Sequence, residues 1–86
     1  MAVLSGANLQ RATADGANFT EARLRGADLS DAHLRAADLY KADLGNADLD
    51  GADFTNARLL SAILSDTSQS GTVLTGALMP DNSTHR

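Results

Sequence analysis

The sequence predicts an all-β solenoid, in which short extended segments wind into stacked coils. The first observation is a five-residue period: with two exceptions, a large apolar residue, here called position i, recurs at every fifth residue from Leu4 to Met79. The second is a small residue at position i−2, which is Ala in thirteen consecutive units from Ala2 to Ala62. The third is the polar character of the remaining three positions, which are mostly Asp, Arg, Ser, Thr, Asn or Gly.

The five-residue period excludes an α-helix. Successive helical residues turn by about 100°, so steps of five would scatter the large residues around the whole helix. In an extended segment, residues two apart point to the same side, so positions i−2 and i both face inward. The odd period then requires a corner in each unit. Position i+2 is often Gly, Asn or Asp, which tolerate turn geometry.

The charges predict how many units complete a coil. At an offset of 20 residues, opposite-charge pairs outnumber like-charge pairs six to one, whereas at an offset of 15 there are three of each. Stacked opposite charges are favourable and stacked like charges are not, so the offset of 20 indicates four units per coil and about four coils. The opposite pairs are Arg11/Asp31, Asp15/Arg35, Glu21/Lys41, Arg23/Asp43, Asp38/Arg58 and Asp66/Arg86.

Composition bounds the class of protein. The 86 residues suffice for one small domain, and the lack of Cys excludes disulfides, thiolate metal sites and a Cys nucleophile. No apolar run approaches the length of a membrane span, and no signal peptide is evident, so we expect a cytoplasmic chain without membrane contact. The net charge of −4 argues against direct nucleic-acid binding.

No motif for catalysis or cofactor binding is present. The sequence has no nucleophile elbow, no phosphate-binding loop and no His or carboxylate cluster with metal spacing, so we predict no enzyme, metal site or cofactor. Asp43, Asp48 and Asp53 would lie on different sides of the coil and could not form an acid/base pair. His33 is expected outside the coil beside Asp53, as a surface hydrogen bond, and His85 lies in a tail.

The units resemble the pentapeptide-repeat family, whose unit is roughly Ala-Asp/Asn-Leu-x-x. The phrase recurs as ADL at residues 37–39, 42–44 and 47–49, and the match runs from about residue 2 to 79. The resemblance implies a right-handed quadrilateral β-helix, in agreement with the four units per coil indicated by the charges. The ending GALMPDNSTHR resembles the close of many bacterial, especially cyanobacterial, repeat domains.

Departures from the repeat predict where the coil is less regular. They are Ala14 and Gln69 at position i, and Thr67 and Thr72 at position i−2. Because three of them cluster in the fourth coil, with Gln69 at a core position, we predict that residues 65–71 form a loosened edge or a loop. The predicted organisation is a repeat domain over residues 1–80 and a C-terminal tail over residues 81–86.

An acidic face is the first candidate surface. Asp28, Asp48 and Asp50 share one side of the predicted coil with Asp31, and only Asp31 has a basic neighbour, Arg11, in its column. Some members of the family that the chain resembles imitate the shape and charge of DNA and thereby block type II topoisomerases such as gyrase. Most acids here have a basic neighbour one coil away, and the stack is short. DNA mimicry is therefore the alternative and not the first interpretation.

An apolar strip is the second candidate surface. The i+1 column on another side contains Tyr40, Leu60 and Pro80, with Leu78 at i−1 beside it. A clustered outward-facing apolar strip indicates that something covers it. Either the C-terminal tail or a second protein chain would do so.

The first coil presents an uncapped end. An open coil end is an exposed edge for backbone pairing, which another chain or a continuation in a longer protein would cover. We therefore expect a non-enzymatic repeat scaffold or protein–protein interaction module of bacterial origin, alone or as a domain of a longer protein. Its expected partner is a protein of unknown identity or a second copy, bound through the strip or the coil end.

Overall fold

Parallel backbone pairing at a fixed offset of 20 residues builds the fold. The structure is a computed structural model, and it describes residues 3–81. Twelve isolated parallel bridges join residues 20 apart, from Val3–Arg23 to Arg58–Leu78, and every bridged residue occupies position i−1. Residues 3–81 contain no helix, and hence none able to cross a membrane, and no strand longer than one bridged residue. Pairing therefore follows the offset of 20 that the charges predicted.

One unit, residues 27–31, shows how the backbone N–H groups are satisfied. The N–H at i−2 donates across the corner to the backbone carbonyl at position i of the preceding unit (3.1 Å). The N–H at i−1 donates to a backbone carbonyl of the previous coil (2.9 Å). The N–H groups at i and i+2 both donate to the next coil (2.8 Å each). The fifth N–H, at i+1, donates to the Asp28 side chain (3.0 Å). All five donors of the unit are thus paired.

The corner of each unit is a residue in the left-handed region. Position i+2 has a φ between 57° and 72° in all fifteen units from Gly6 to Gly76, and six of these residues are Gly. Positive φ at the second central residue, with a hydrogen bond across the turn, is the pattern of type II turns. The expectation that i+2 makes the corner is confirmed. The other nine residues, which include Arg11, Glu21 and Ala36, adopt a conformation that costs a non-glycine residue about 1–2 kcal/mol.

Side chains at i−1 satisfy the fifth N–H in many units. In seven units an Asn or Asp at i−1 accepts from the N–H at i+1, at 2.9–3.1 Å. Where position i−1 is His33 or Ser68, the carboxylate of an Asp one coil earlier accepts from the i+1 N–H instead. Asp15 accepts from the Arg35 N–H in this way (2.9 Å). Asp50 likewise accepts from the Ser70 N–H (2.8 Å). The recurring Asp and Asn therefore hold the turns, as Asx turns do elsewhere.

The core is the predicted column of Ala at i−2 and Leu or Phe at i. These residues are fully buried from Ala22 to Leu59, and Phe54 is the largest buried side chain. No polar or charged side chain is buried among residues 3–81. In the first and fourth coils the large inward residues are only half-buried, because each has a neighbouring coil on one side alone.

Residues 65–71 keep the coil, so the loop predicted there is wrong and the loosened edge is confirmed. The bridge at Ser68 and the left-handed corners at Asp66 and Gly71 continue the pattern, but the turn hydrogen bonds donated by Thr67 and Thr72 lengthen to 3.4 Å.

Gln69 does not occupy the core as its position predicted. It is exposed, and its amide donates to the Thr67 hydroxyl (2.7 Å). The hydroxyls of the two inward Thr residues donate to backbone carbonyls, which lets Thr replace Ala at i−2.

Two of the predicted charge pairs, Arg23/Asp43 and Asp38/Arg58, are bridged in adjacent coils, but only one predicted pair within residues 3–81 is an ion pair. Arg58 and Asp38 form the predicted ion pair at 3.4 Å. Asp43 and Arg23 form a backbone β-bridge, but the Asp43 carboxylate forms its ion pair with Arg25 (3.4 Å), which lies diagonally across the same side. The Arg25 guanidinium passes over Gly45, where an added Cβ would lie 2.6 Å from it and would require it to shift.

Some predictions concern residues outside those that the structure describes. These are the pairing of Asp66 with Arg86, the position of His85, and the tail beyond Asp81.

The four sides of the coil are numbered in chain order. The inward residue of the first coil is Leu4 on side one, Leu9 on side two, Ala14 on side three and Phe19 on side four, and each position recurs every 20 residues.

Replacing Ala36 by Gly should stabilise the coil. Ala36 has φ 57°, and Gly relieves the cost of this conformation while adding about 0.5–1 kcal/mol of entropy cost, so the free energy of unfolding should rise by up to about 1 kcal/mol. The reverse change at Gly26, where an added Cβ would meet nothing within 4 Å, should lower it similarly. Urea denaturation measures both.

The matched control is Ala37→Gly at the neighbouring buried i−2 position, whose φ is not positive. It should destabilise. An Ala36→Gly variant as unstable as Ala37→Gly would contradict the left-handed corner.

Candidate interaction surfaces

The structure brings the four residues of the predicted apolar strip together on side four. Tyr40, Leu60 and Pro80 occupy the i+1 column in successive coils, and Leu78 occupies the adjacent i−1 column, where it bridges Arg58. All four are half-buried. Successive members of the column are about 4.8 Å apart, because this is the spacing between paired strands. The strip is therefore a continuous apolar band over three coils.

Charged groups flank the strip. The Asp38–Arg58 ion pair lies in the i−1 column of the same side, and the Lys41 ammonium lies 5.3 Å from the centre of the Tyr40 ring. This distance is within the range of a cation–π contact. The arrangement of an apolar centre containing Tyr with a polar margin containing Arg is typical of protein–protein interfaces.

Three exposed apolar residues were not predicted. Val3, Ile63 and Val73 are 65%, 44% and 41% exposed, and all three occupy position i−1 in the first or fourth coil. The signal was present in the sequence: position i−1 is mostly polar in the first three coils, and changes to Ile63, Val73 and Leu78 in the fourth. Charge alone does not reveal this change, because Ile63, Val73 and Leu78 are uncharged.

The structure also brings the acidic residues together, on side two. Asp28 and Asp48 bridge each other in adjacent coils, and the Asp48 carboxylate accepts from the Asp50 N–H (3.0 Å). Asp31 lies at the corner of the same side, where its carboxylate packs so closely over Gly51 that an added Cβ would require it to shift. The predicted acidic face is thus present, but its three defining residues span only two coils.

The carboxylates of this face are engaged in turn hydrogen bonds. The Ser30 hydroxyl (2.6 Å) and N–H (3.0 Å) hold the pKa of Asp28 below its ordinary value. The Ser68 hydroxyl (2.6 Å) and the Ser70 N–H (2.8 Å) lower the pKa of Asp50 in the same way. Hydrogen bonds to the charged form favour it. These acids therefore support the backbone and keep their negative charge.

His33 lies where it was predicted, bridged to Asp53 on side three. The pKa of Asp53 is lowered chiefly by the hydroxyl and N–H of Thr55, with smaller contributions from the charges of Arg35 and His33. Within residues 3–81, no three His, Cys, Asp or Glu side chains are grouped so that they could hold a metal ion.

The repeat pattern and the 20-residue coil together define the class of this protein. The family model of pentapeptide repeats matches residues 2–39 and 37–76, with eight copies. The chain belongs to the pentapeptide-repeat family, whose members are generally structural repeat proteins without enzymatic activity. No protein with a curated description matches it.

Solved structures of pentapeptide repeat proteins resemble the chain. One, from the thylakoid lumen of Arabidopsis thaliana, is 31% identical, with a TM-score of 0.58 over 95% of this chain and 68% of that one. Another, from Nostoc, is 39% identical, with a TM-score of 0.67 over 81% of this chain and 58% of that one. The expected resemblance to cyanobacterial repeat proteins is confirmed. The lumenal relative shows that the family is not confined to the cytoplasm.

Proposed function

We propose that the chain is a non-enzymatic scaffold, a four-sided right-handed β-helix that binds a protein partner through the apolar strip on side four. The observation that carries the proposal is the alignment of Tyr40, Leu60, Leu78 and Pro80 in two adjacent columns of one wall. Burying such a strip is favourable at about 25 cal/mol per Å² of apolar surface removed from water.

The rigidity of the wall supports this role. The backbone under the strip is paired from coil to coil, as in the bonds from the Lys41 N–H to the Leu60 carbonyl (3.0 Å) and from the Ser61 N–H to the Pro80 carbonyl (3.1 Å). A preorganised surface loses little conformational entropy on binding. The wall can therefore present its side chains in a fixed order to a partner.

A second copy is the partner that can be tested at once. For a single chain type, a two-fold pair is the commonest arrangement, and it would place the strip of one copy against the strip of the other. Leu60→Lys should abolish this pair, because the contact would then bury two unpaired ammonium groups across the two-fold axis. Sedimentation over a concentration series should show a wild-type dimer and a monomeric variant.

Thr75→Lys is the matched control, since Thr75 is an exposed residue at the same i+1 position on side three. It adds the same charge to another wall and should leave the dimer intact. A wild type that stays monomeric at high micromolar concentration would contradict pairing through the strip and would favour its coverage by the chain's own tail.

A DNA-mimic inhibitor of gyrase is the second candidate function, favoured by the stacked like charges of Asp28 and Asp48 beside Asp50. DNA carries one charge per about 1.7 Å of its axis, whereas the acidic face spans two coils about 4.8 Å apart. The face is therefore too short and too sparsely charged to imitate a DNA segment.

We accordingly expect no inhibition of gyrase supercoiling by the chain at micromolar concentration. The triple variant Asp28→Asn, Asp48→Asn, Asp50→Asn serves as the comparison, because Asn retains an oxygen that can accept the turn hydrogen bonds. Inhibition by the wild type that disappeared in this folded variant would rank DNA mimicry first.

A further inference from the structure

The apolar strip lies between two columns of charged and polar residues on side four. On one edge, position i−1 carries Asp38 in the second coil and Arg58 in the third. On the other edge, position i+2 carries Lys41 and Ser61 in the same two coils. Because the two edges differ, the charges that meet when two copies of this wall face each other depend on their relative orientation.

The two charged groups of the second coil are available at the face of the wall. The Lys41 ammonium lies 5.3 Å from the centre of the Tyr40 ring, so this side chain leans toward the strip. One oxygen of the Asp38 carboxylate accepts from the Tyr40 N–H (3.1 Å), and the other lies 3.4 Å from the Arg58 guanidinium. The Asp38 side chain is still 33% exposed, so its carboxylate can accept from a further donor.

Two two-fold arrangements can place the strip of one copy against the strip of another. In the parallel arrangement the axis runs along the stack, so each coil faces the same coil of the second copy and position i−1 faces position i+2. In the antiparallel arrangement the axis crosses the stack, so the order of the coils is reversed and position i−1 faces position i−1. Both are closed contacts between identical surfaces.

The parallel arrangement matches the apolar residues and the charges together. Tyr40 faces Tyr40 of the second copy, and Leu60 faces Leu60. Asp38 faces Lys41 of the second copy, and this contact occurs twice, once in each direction across the axis. Arg58 faces the position of an uncharged Ser. Among the described residues of side four, no two like charges face each other in this arrangement.

Each antiparallel register that keeps the second and third coils of the strip on apolar residues loses one of these matches. With the axis at the third coil, Tyr40 faces Pro80, but Arg58 faces Arg58 of the second copy. With the axis between the second and third coils, Asp38 faces Arg58, but Pro80 faces the polar Thr20. Like charges set against each other across an interface suppress the wrong pairing.

We propose that two copies of this chain pair in parallel through the strip, with equal coils in register and reciprocal ion pairs between Asp38 of one copy and Lys41 of the other. The inference rests on the proposed function, because it names the partner and its orientation at the same strip. The two charges of the second coil set the orientation of the pair, since charges at the rim of an interface contribute more to specificity than to affinity.

Crosslinking through Thr20→Cys tests the orientation in a chain without native Cys. Thr20 lies at position i+1 of side four in the first coil, where Asn18 accepts its N–H (3.0 Å) and holds the turn, so the variant should fold. In the parallel pair the two thiols face each other across walls about 10 Å apart, and a bis-maleimide of that span should link them. In the antiparallel pairs they lie at least roughly 14 Å apart along the stack and should stay unlinked.

Gln10→Cys is the matched control, because Gln10 is an exposed residue at position i+1 of the same coil on side two. It should give only the background yield of random collisions. Adding Leu60→Lys to Thr20→Cys should lower the yield to that background. If the chain dimerises in sedimentation but Thr20→Cys links no better than Gln10→Cys, the parallel pair is overturned.

Lys41→Glu tests the ion pairs independently. Glu suits this corner, because Glu21 has the same left-handed conformation at position i+2 of the first coil (φ 59°). The variant sets a second carboxylate against Asp38 on both sides of the axis, so the dissociation constant of the dimer should rise about tenfold or more. Adding Asp38→Asn should recover part of the affinity, since Asn keeps an oxygen that can accept the Tyr40 N–H.

Arg58→Gln separates the two orientations, because Arg58 faces Ser61 in the parallel pair and Asp38 in the antiparallel pair centred between the second and third coils. The parallel pair predicts a change of less than about threefold in the dissociation constant measured by sedimentation. A greater loss with Arg58→Gln than with Lys41→Glu would overturn the proposal in favour of the antiparallel pair.

Failure of the pair and failure of the strip give different results. A wild type that stays monomeric at high micromolar concentration overturns the pair, but not the binding of a different protein to the strip. Association that Leu60→Lys leaves unchanged argues against the strip itself as the contact, and overturns the pair with it.

Discussion

Backbone pairing at a constant offset of 20 residues is the constraint on which the rest of this structure depends. Each side of a coil contributes one bridged residue, so no side is a stable strand by itself, and the stack holds only if all four sides stay in phase. A unit of four or six residues would shift every later residue out of its column. The five-residue repeat of the sequence is the direct consequence, and it explains why the spacing persists even where the residue types change, as in residues 65–71.

The same constraint decides which residues are free to serve a function. Positions i−2 and i fill the interior, position i+2 makes the left-handed corner, and position i−1 often carries the Asn or Asp that holds the turn. Position i+1 and the remaining i−1 positions can vary without cost to the coil. The apolar residues of the strip and of the fourth coil occur at these two positions, where the fold does not require them. Their presence therefore calls for an explanation outside the fold, such as contact with another protein.

Most of the fold could be predicted from the sequence because each repeated position has one physical role. The Ala and Leu columns predict the core, and Gly, Asn and Asp at i+2 predict the corners. The diagonal Arg25–Asp43 ion pair could not be predicted from residues stacked 20 apart, because it joins an i+1 residue to an i−1 residue 18 positions later. Gln69 was misplaced because a residue of the end coil can turn outward where a middle residue cannot. The members of the strip were predictable from their columns, and Ile63 and Val73 were predictable in the same way, because position i−1 faces outward and is mostly polar in the first three coils.

The most direct test of the central claim is an intrachain disulfide between residues 20 apart. Arg58 and Leu78 are bridged, and neither caps an i+1 N–H, so the double variant Arg58→Cys, Leu78→Cys should form an intrachain disulfide in dilute, mildly oxidising solution. The matched variant Arg58→Cys, Val73→Cys places the two thiols 15 residues apart on different sides and should remain reduced. Efficient closure of the second pair and not the first would contradict a coil of four five-residue units.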